Sequence, residues 1–223
     1  LVISDIKSVV VNINRENTNV ILSDKCVTLW GNDYIYDTLC GVQIRLSPLS
    51  FYQVNHDQAE KLYRRAAEYA GLSGKETVLD MYCGAGTIGL SMAKNAKQII
   101  GAEIIPEAVE DARFNARLNN IENAQFYCAD ASEAACMFNE KGIRPDVVVI
   151  DPPRKGCDAA LIETISSMNP EKIVYVSCDC STLARDCAIF REKGYHTDKL
   201  TAVDLFPRTV HVETVVFMSR VRN

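Results

Sequence analysis

The sequence lacks an apolar run long enough to cross a bilayer, contains no CxxC pair, and has only three histidines and one tryptophan. The first absence excludes a membrane-spanning helix. The second and third remove the usual spacings of zinc and thioredoxin-like sites, so no metal is expected. Excess positive charge is missing too: the formal net charge is −5, which argues against a wide nucleic-acid surface, because phosphate contacts need clustered Lys and Arg. A local basic patch, or a basic module elsewhere in a longer protein, remains compatible with that balance. No basic region or small-residue cleavage site accompanies Leu1-Val2-Ile3-Ser4, so no signal peptide is read there. The missing initiator Met reads as a start inside a longer protein. The nine cysteines, at 26, 40, 83, 128, 136, 157, 178, 180 and 187, then point to a reducing, cytoplasmic setting rather than a disulfide framework.

What is present is enough for one full domain and a fragment of another: 223 residues, 48% hydrophobic. From residue 51 onward short apolar runs alternate with helical patterns. The runs end in Asp80, Glu103, Asp130, Asp151 and Cys178. Helices are read at 56–71, with its cap near Asn55, and at 87–96, 106–119, 158–168 and 181–193. Strands alternating with helices make an α/β fold with a parallel, doubly wound sheet. At the C-terminus TDKLTAVDLFP and HVETVVFMSR, joined by a short Pro-Arg-Thr connection, read as an antiparallel hairpin on the sheet edge. Residues 1–50, with VVVNINRENTNVILS and VTLWGNDYIYDTL, read as the remnant of a separate β-rich domain, and 51–223 as the catalytic domain.

Parallel strands deliver their last residues to one edge, where such folds bind ligands. The loop Asp80-Met81-Tyr82-Cys83-Gly84-Ala85-Gly86-Thr87 has glycines for close backbone approach, and Glu103 follows Gly84 by 19 residues, where an acid can hold ribose hydroxyls. Asp80 before the turn would repel a pyrophosphate and suits a cationic group. A structural glycine turn would explain the GxG alone; the combination with Asp80 and Glu103 describes S-adenosylmethionine. Asp151-Pro152-Pro153-Arg154-Lys155-Gly156 adds a rigid loop with two cations at its rim. In amine methyltransferases an aromatic follows the Pro-Pro pair, and Arg154 stands there instead.

VYVSCDCSTLARD, residues 174–186, ends a strand in Cys178-Asp179-Cys180. Methylating a poorly nucleophilic ring carbon such as uracil C5 needs covalent activation by a thiolate, then a base. A free thiol ionises at roughly 8.5, and the helix N-terminus after Cys178, with Arg185 one turn in, should favour the thiolate. Glu213 is the candidate base; strand alternation places it on one face with His211, which reads as a surface histidine, a phosphate contact or a partner in proton transfer. Cys180 reads as a loop or cap side chain.

SFYQVNHDQAEKLY, LDMYCGAGTIGL, IDPPRKG, YVSCDCSTLARD and HVETV, in this order over about residues 51–217, resemble the RNA uracil-C5 methyltransferases that form 5-methyluridine. The resemblance implies a Rossmann-like class I S-adenosylmethionine-dependent methyltransferase. It implies Cys178 as nucleophile, Glu213 as proton-abstracting base, and Gln53, Tyr82, Thr87, Glu103, Asp130 and Asp151 around the cofactor. Phe51 is expected near the extruded base, and Asp151 also against the uracil. Where the family often has Asn-Pro after the nucleophile, this chain has Asp179-Cys180. The N-terminal oligonucleotide-binding domain and four-Cys cluster of larger members are not in this sequence. GAGTIGL favours 23S rRNA over tRNA as substrate. The uracil must be looped or flipped out, with Arg154, Lys155, Arg185 and Arg208 as candidate phosphate contacts. The chain is expected to act as a monomer. The alternatives are a tRNA uridine-C5 enzyme, an amine, protein side-chain or cytosine-C5 methyltransferase, and a cofactor-binding RNA module without turnover.

Overall fold

A computed structural model describes residues 5–16 and 21–221. Leu1-Val2-Ile3-Ser4 and residues 17–20 of the first β-rich run lie outside the described residues.

One mixed sheet of seven strands organises the chain. Its parallel members are β5 (Thr77–Met81), β6 (Gln98–Glu103), β7 (Ala124–Cys128), β8 (Val147–Ile150) and β9 (Lys172–Ser177); β10 (Tyr195–Val203) and β11 (Glu213–Arg220) complete it. The strand order is β10-β11-β9-β8-β5-β6-β7. From β5 the chain winds outward through β6 and β7, then returns to lay β8 on the other side of β5. The crevice between the carboxyl ends of β5 and β8 is therefore the topological switch point.

Both faces of the sheet are covered, so its strands are apolar on both sides. Alternation still sorts the side chains. Val147 and Val149 enter one hydrophobic cluster, while Val148 and Ile150 enter the other. The first cluster is closed by α1 (His56–Ala70), α2 (Thr87–Met92) and α3 (Pro106–Leu118); the second by α4 (Ala131–Glu140), α5 (Ala159–Met168) and α6 (Cys180–Glu192). Asn55 caps α1 by accepting from the Gln58 N–H, and Gly71, left-handed at φ 53°, ends it.

The sequence reading misses α4. Its buried Ala131, Ala134, Ala135 and Phe138 keep helical spacing, but Asp130 both follows the preceding strand and caps the helix, and that double role hides the helix start. The C-terminal connection is also longer than a Pro-Arg-Thr turn: it runs through 204–212, between Val203 and Glu213. The hairpin does form the sheet edge, with β11 inserted antiparallel between β9 and β10.

Two hairpins precede this unit: β1 (Ser8–Asn12) with β2 (Cys26–Gly31), and β3 (Ile35–Leu39) with β4 (Val42–Leu46). The second shares the main core through Leu39, Val42, Ile44 and Leu46. Its outer edge is completed by side chains rather than by another strand. Asn119 and Asn115, one turn apart on α3, accept from the Gln43 and Arg45 amides and donate to the same residues' carbonyls. Asp111, a turn earlier, accepts from the Ser47 amide and pairs with Arg45. Asn115 also donates to the Ala85 carbonyl in the glycine loop. Strand β4 and that loop are thus held by one buried amide.

Candidate active site

The glycine loop leaves β5 through a left-handed Tyr82 (φ 66°), and Gly84 and Gly86 also have positive φ. A Cβ on Gly86 would press on Leu90, Phe126 and Ala112, whereas one on Gly84 would enter open space. Glu103 holds this loop from the next strand: its carboxylate accepts from the Gly84 amide at 3.1 Å and the Ile105 amide at 3.0 Å. Asp80 does not reach the rim, because β5 runs one residue further, through Met81. It is fully buried, accepts from the Gly89 amide at 2.9 Å through one oxygen, and its other oxygen has no partner among the described residues.

Acid crowding defines the electrostatics. Burial, reinforced by Glu103, raises Asp80 to about 7. Burial, reinforced by Glu213 and Asp80, raises Asp151 to about 8. A crevice with this excess of carboxyls fits a ligand with a positive centre. Gln53 adds a buried amide, 6% exposed, with no side-chain hydrogen bond among the described residues; it is free to grip a ligand. Thr87 is bonded to the buried Tyr63 hydroxyl, whose pKa is pushed up chiefly by burial and also by Asp151, so Thr87 faces inward. Asp130 caps α4 by accepting from the Ser132 amide and lies at the carboxyl edge beside β7.

On the other side of the switch point β9 delivers Cys178. Ser177 and Asp179 lock this corner by exchanging hydrogen bonds through the Ser177 hydroxyl. Asp179 then caps α6, accepting from Ser181 and Thr182. Cys180 is the first helical residue. Asn at the cap and Pro at the first position suit the same geometry, so Asp179-Cys180 preserves the turn. Strand β11 pairs Thr214 with Ser177; one step further the register sets Glu213 opposite Cys178. Glu213 is 5% exposed, and burial raises its pKa.

The expected activation of Cys178 is corrected. Burial first, then Glu213 and Asp151, raise the thiol; the cation that lowers it is Arg154. Arg185 is turned away to Asp186 and to the Lys155 and Cys157 carbonyls. The helix N-terminus is already capped by Asp179. His211 does not share a strand face with Glu213, since β11 begins at Glu213. Instead it accepts from Arg154 Nη2 at 3.2 Å. Lys155 and Arg208 are exposed, as are Phe51 at 72% and Val54 at 81% beside the buried Gln53. Among the described residues no helix is long and apolar enough to cross a membrane, and no group of three or more His, Cys, Asp or Glu could hold a metal ion. All nine cysteines are unpaired. Asn115 supports the site without any motif signal, while Tyr63 and Asp186, which end SFYQVNHDQAEKLY and YVSCDCSTLARD, carry supporting roles that the sequence reading does not assign.

The family model for tRNA (uracil-5-)-methyltransferases matches residues 20–221. An uncharacterized RNA methyltransferase of Halalkalibacterium halodurans is 50% identical over 216 residues, 97% of this chain and 47% of the relative. One from Clostridium acetobutylicum is 50% identical over 98% of this chain and 48% of its own length. The chain spans about half the length of these curated relatives. Among solved structures, the tRNA (uracil-54, C5)-methyltransferase of Pyrococcus abyssi, in complex with S-adenosyl-L-homocysteine, superposes with a TM-score of 0.80 at 34% identity, covering 96% of this chain and 51% of that one. With the match spanning almost every residue and the same elements carrying it, the chain belongs to the tRNA (uracil-5-)-methyltransferase family.

Proposed function

We propose that this chain is the catalytic part of an S-adenosylmethionine-dependent RNA (uracil-5-)-methyltransferase. The register that sets Glu213 opposite Cys178 carries the reading. The Cys178 thiolate adds to uracil C6, forming the S–C6 bond and moving the ring electrons toward C5 and O4. S-adenosylmethionine, when bound, supplies the methyl that C5 takes. The Glu213 carboxylate then removes the C5 proton, and that electron pair restores the C5–C6 double bond and expels the thiolate. Asp151, whose pKa is raised by burial and by the neighbouring Glu213, stands at the pocket as a polar contact for the uracil edge. Gln53, Tyr82, Glu103 and Asp130 line the cofactor side, and Thr87 acts through Tyr63.

The loop GAGTIGL favours 23S rRNA as substrate. The tRNA reading is supported by the name of the family and of the Pyrococcus abyssi enzyme. In this proposal residues 51–223 are the catalytic domain and 1–50 the end of a central β-rich domain, acting as a monomer in the cytoplasm. The test incubates the protein with S-adenosylmethionine and rRNA or tRNA transcripts containing 5-fluorouridine. Fluorine blocks the last proton removal, so a denaturation-resistant adduct should form with the true substrate and vanish in Cys178→Ser but not in Cys180→Ser. An adduct that survives Cys178→Ser, or cofactor and RNA binding without any adduct, would overturn the covalent reading.

A further inference from the structure

Arg154, Lys155, Gly156 and Cys157 follow the Asp151-Pro152-Pro153 corner, and helix α6 holds this stretch almost residue by residue. The Thr182 hydroxyl donates to the Arg154 carbonyl at 3.1 Å. Arg185 Nη2 donates to the Lys155 carbonyl at 2.9 Å and the Cys157 carbonyl at 3.2 Å. Asp186, fully buried, accepts from the Cys157 amide and the Tyr175 hydroxyl, each at 2.7 Å, and pairs with Arg185 through its other oxygen. Gly156, at φ 75°, lies so close that a Cβ there would sit 2.5 Å from Arg185 and 2.6 Å from Asp186. The same helix begins at Cys180, one cap residue after Cys178. The far end of the loop reaches the opposite wall, where the Arg154 guanidinium donates to His211, two residues before Glu213.

We infer that Arg185, with Thr182 and Asp186, is a positioning residue: it fixes the 154–157 loop on the helix that starts beside Cys178, and so holds the Arg154 guanidinium between the nucleophile and the base. This rests on the proposed role of Cys178, and it assigns Arg185 to the protein's own backbone rather than to RNA phosphate. The geometry explains why an arginine is required. One planar guanidinium bonds a carboxylate and two carbonyls at once, which a lysine ammonium cannot match in direction. Among the described residues the charged groups that act most on the Cys178 thiol are Glu213 from β11, Asp151 from the β8 loop and Arg154 from the same loop, the cation of the three. Loosening the loop removes its influence while both acids stay in place.

The test needs neither RNA nor cofactor. The pH dependence of iodoacetamide alkylation at Cys178 is read by peptide mass spectrometry in a Cys180→Ser background. Arg154→Gln should move the alkylation midpoint up by roughly half a unit or more, the direction expected when a nearby opposite charge is lost. Arg185→Gln should move it the same way, and the double variant should add little to Arg154→Gln alone, because both act through one guanidinium. Arg185→Gln keeps an amide donor but leaves the buried Asp186 without its cation, so a melting curve checks that the variant is folded; Thr182→Val provides a second, milder release of the Arg154 carbonyl and should move the midpoint in the same direction. An unchanged midpoint in Arg185→Gln would overturn the inference. So would full additivity, or an Arg185→Gln effect confined to RNA affinity with a salt slope smaller by about one, the signature of a lost phosphate contact. A failed covalent reading is distinguishable, because it shows in the 5-fluorouridine adduct while the alkylation profile is unaffected.

Discussion

Glu213 and Cys178 lie at the adjoining ends of two antiparallel strands: Thr214 pairs with Ser177, Glu213 is the first residue of β11, Cys178 follows the last residue of β9, and the carboxylate is near enough to raise the thiol. The two sit on separate elements, so each is replaceable without breaking the other's strand. Glu213→Gln should leave thiolate addition possible and block proton removal. A covalent protein–RNA complex should then accumulate on ordinary uridine RNA, visible as a shifted band on a denaturing gel, while turnover drops by about 10²–10⁴-fold. Cys178→Ala should form no such band.

Stability should fall as pH rises through neutrality. The folded values of Asp80, about 7, and Asp151, about 8, lie above the 3.8 of an unperturbed aspartate. A carboxyl raised on folding binds more protons in the folded state, so its stabilisation is full below the unfolded value and is lost as pH passes the folded one. The unfolding free energy should therefore decline between about pH 4 and pH 8, by an amount on the order of a few kcal/mol, and the melting temperature should fall with it. Asp80→Asn should flatten the Asp80 share of that slope. A melting curve that rises across this interval would contradict the acid crowding.

Gly84 in the loop and Gly89 in α2 should respond in different ways. A Cβ on Gly89 would lie 2.7 Å from the Asp80 carboxylate and 2.9 Å from Ile99, so Gly89→Ala should destabilise by roughly 1–3 kcal/mol in chemical denaturation. Gly84 has φ 53° and nothing near its Cβ position. Gly84→Ala should cost about 1 kcal/mol from backbone strain alone, yet weaken S-adenosylmethionine binding measured by calorimetry, because the methyl enters the open side of the loop.

Asn115→Ala should uncouple the β3–β4 hairpin. The amide serves the Arg45 N–H, the Arg45 carbonyl and the Ala85 carbonyl, and unpaired buried groups cost about 1–3 kcal/mol each. Hydrogen exchange should accelerate at the Arg45 amide, and binding of cofactor should weaken through the loosened glycine loop. Protection retained at Arg45 would show that the docking depends on the core alone.

The glycine loop, the Asp-Pro-Pro corner and the cysteine after β9 were legible because each is local: a few adjacent residues meet a backbone requirement wherever the strand is placed. Helix α4 was missed for a local reason too, since one residue, Asp130, ends a strand and caps a helix. The direction of charge was not legible. Arg185 stands one turn into the helix that follows Cys178, yet it is drawn to Asp186 and two carbonyls, while Arg154, more than twenty residues from the cysteine, acts on the thiol.

By itself the sequence determined the alternating β/α order, the helix cap at Asn55, and which side chains could react, because propensity, capping and turn chemistry act over a few residues. Tertiary structure alone decided that Asp80 lies beneath the loop, that Arg154 meets His211, and that Glu213 stands opposite Cys178. Those relations depend on strand register and on burial among elements far apart in the chain, where desolvation and pairing set both position and charge.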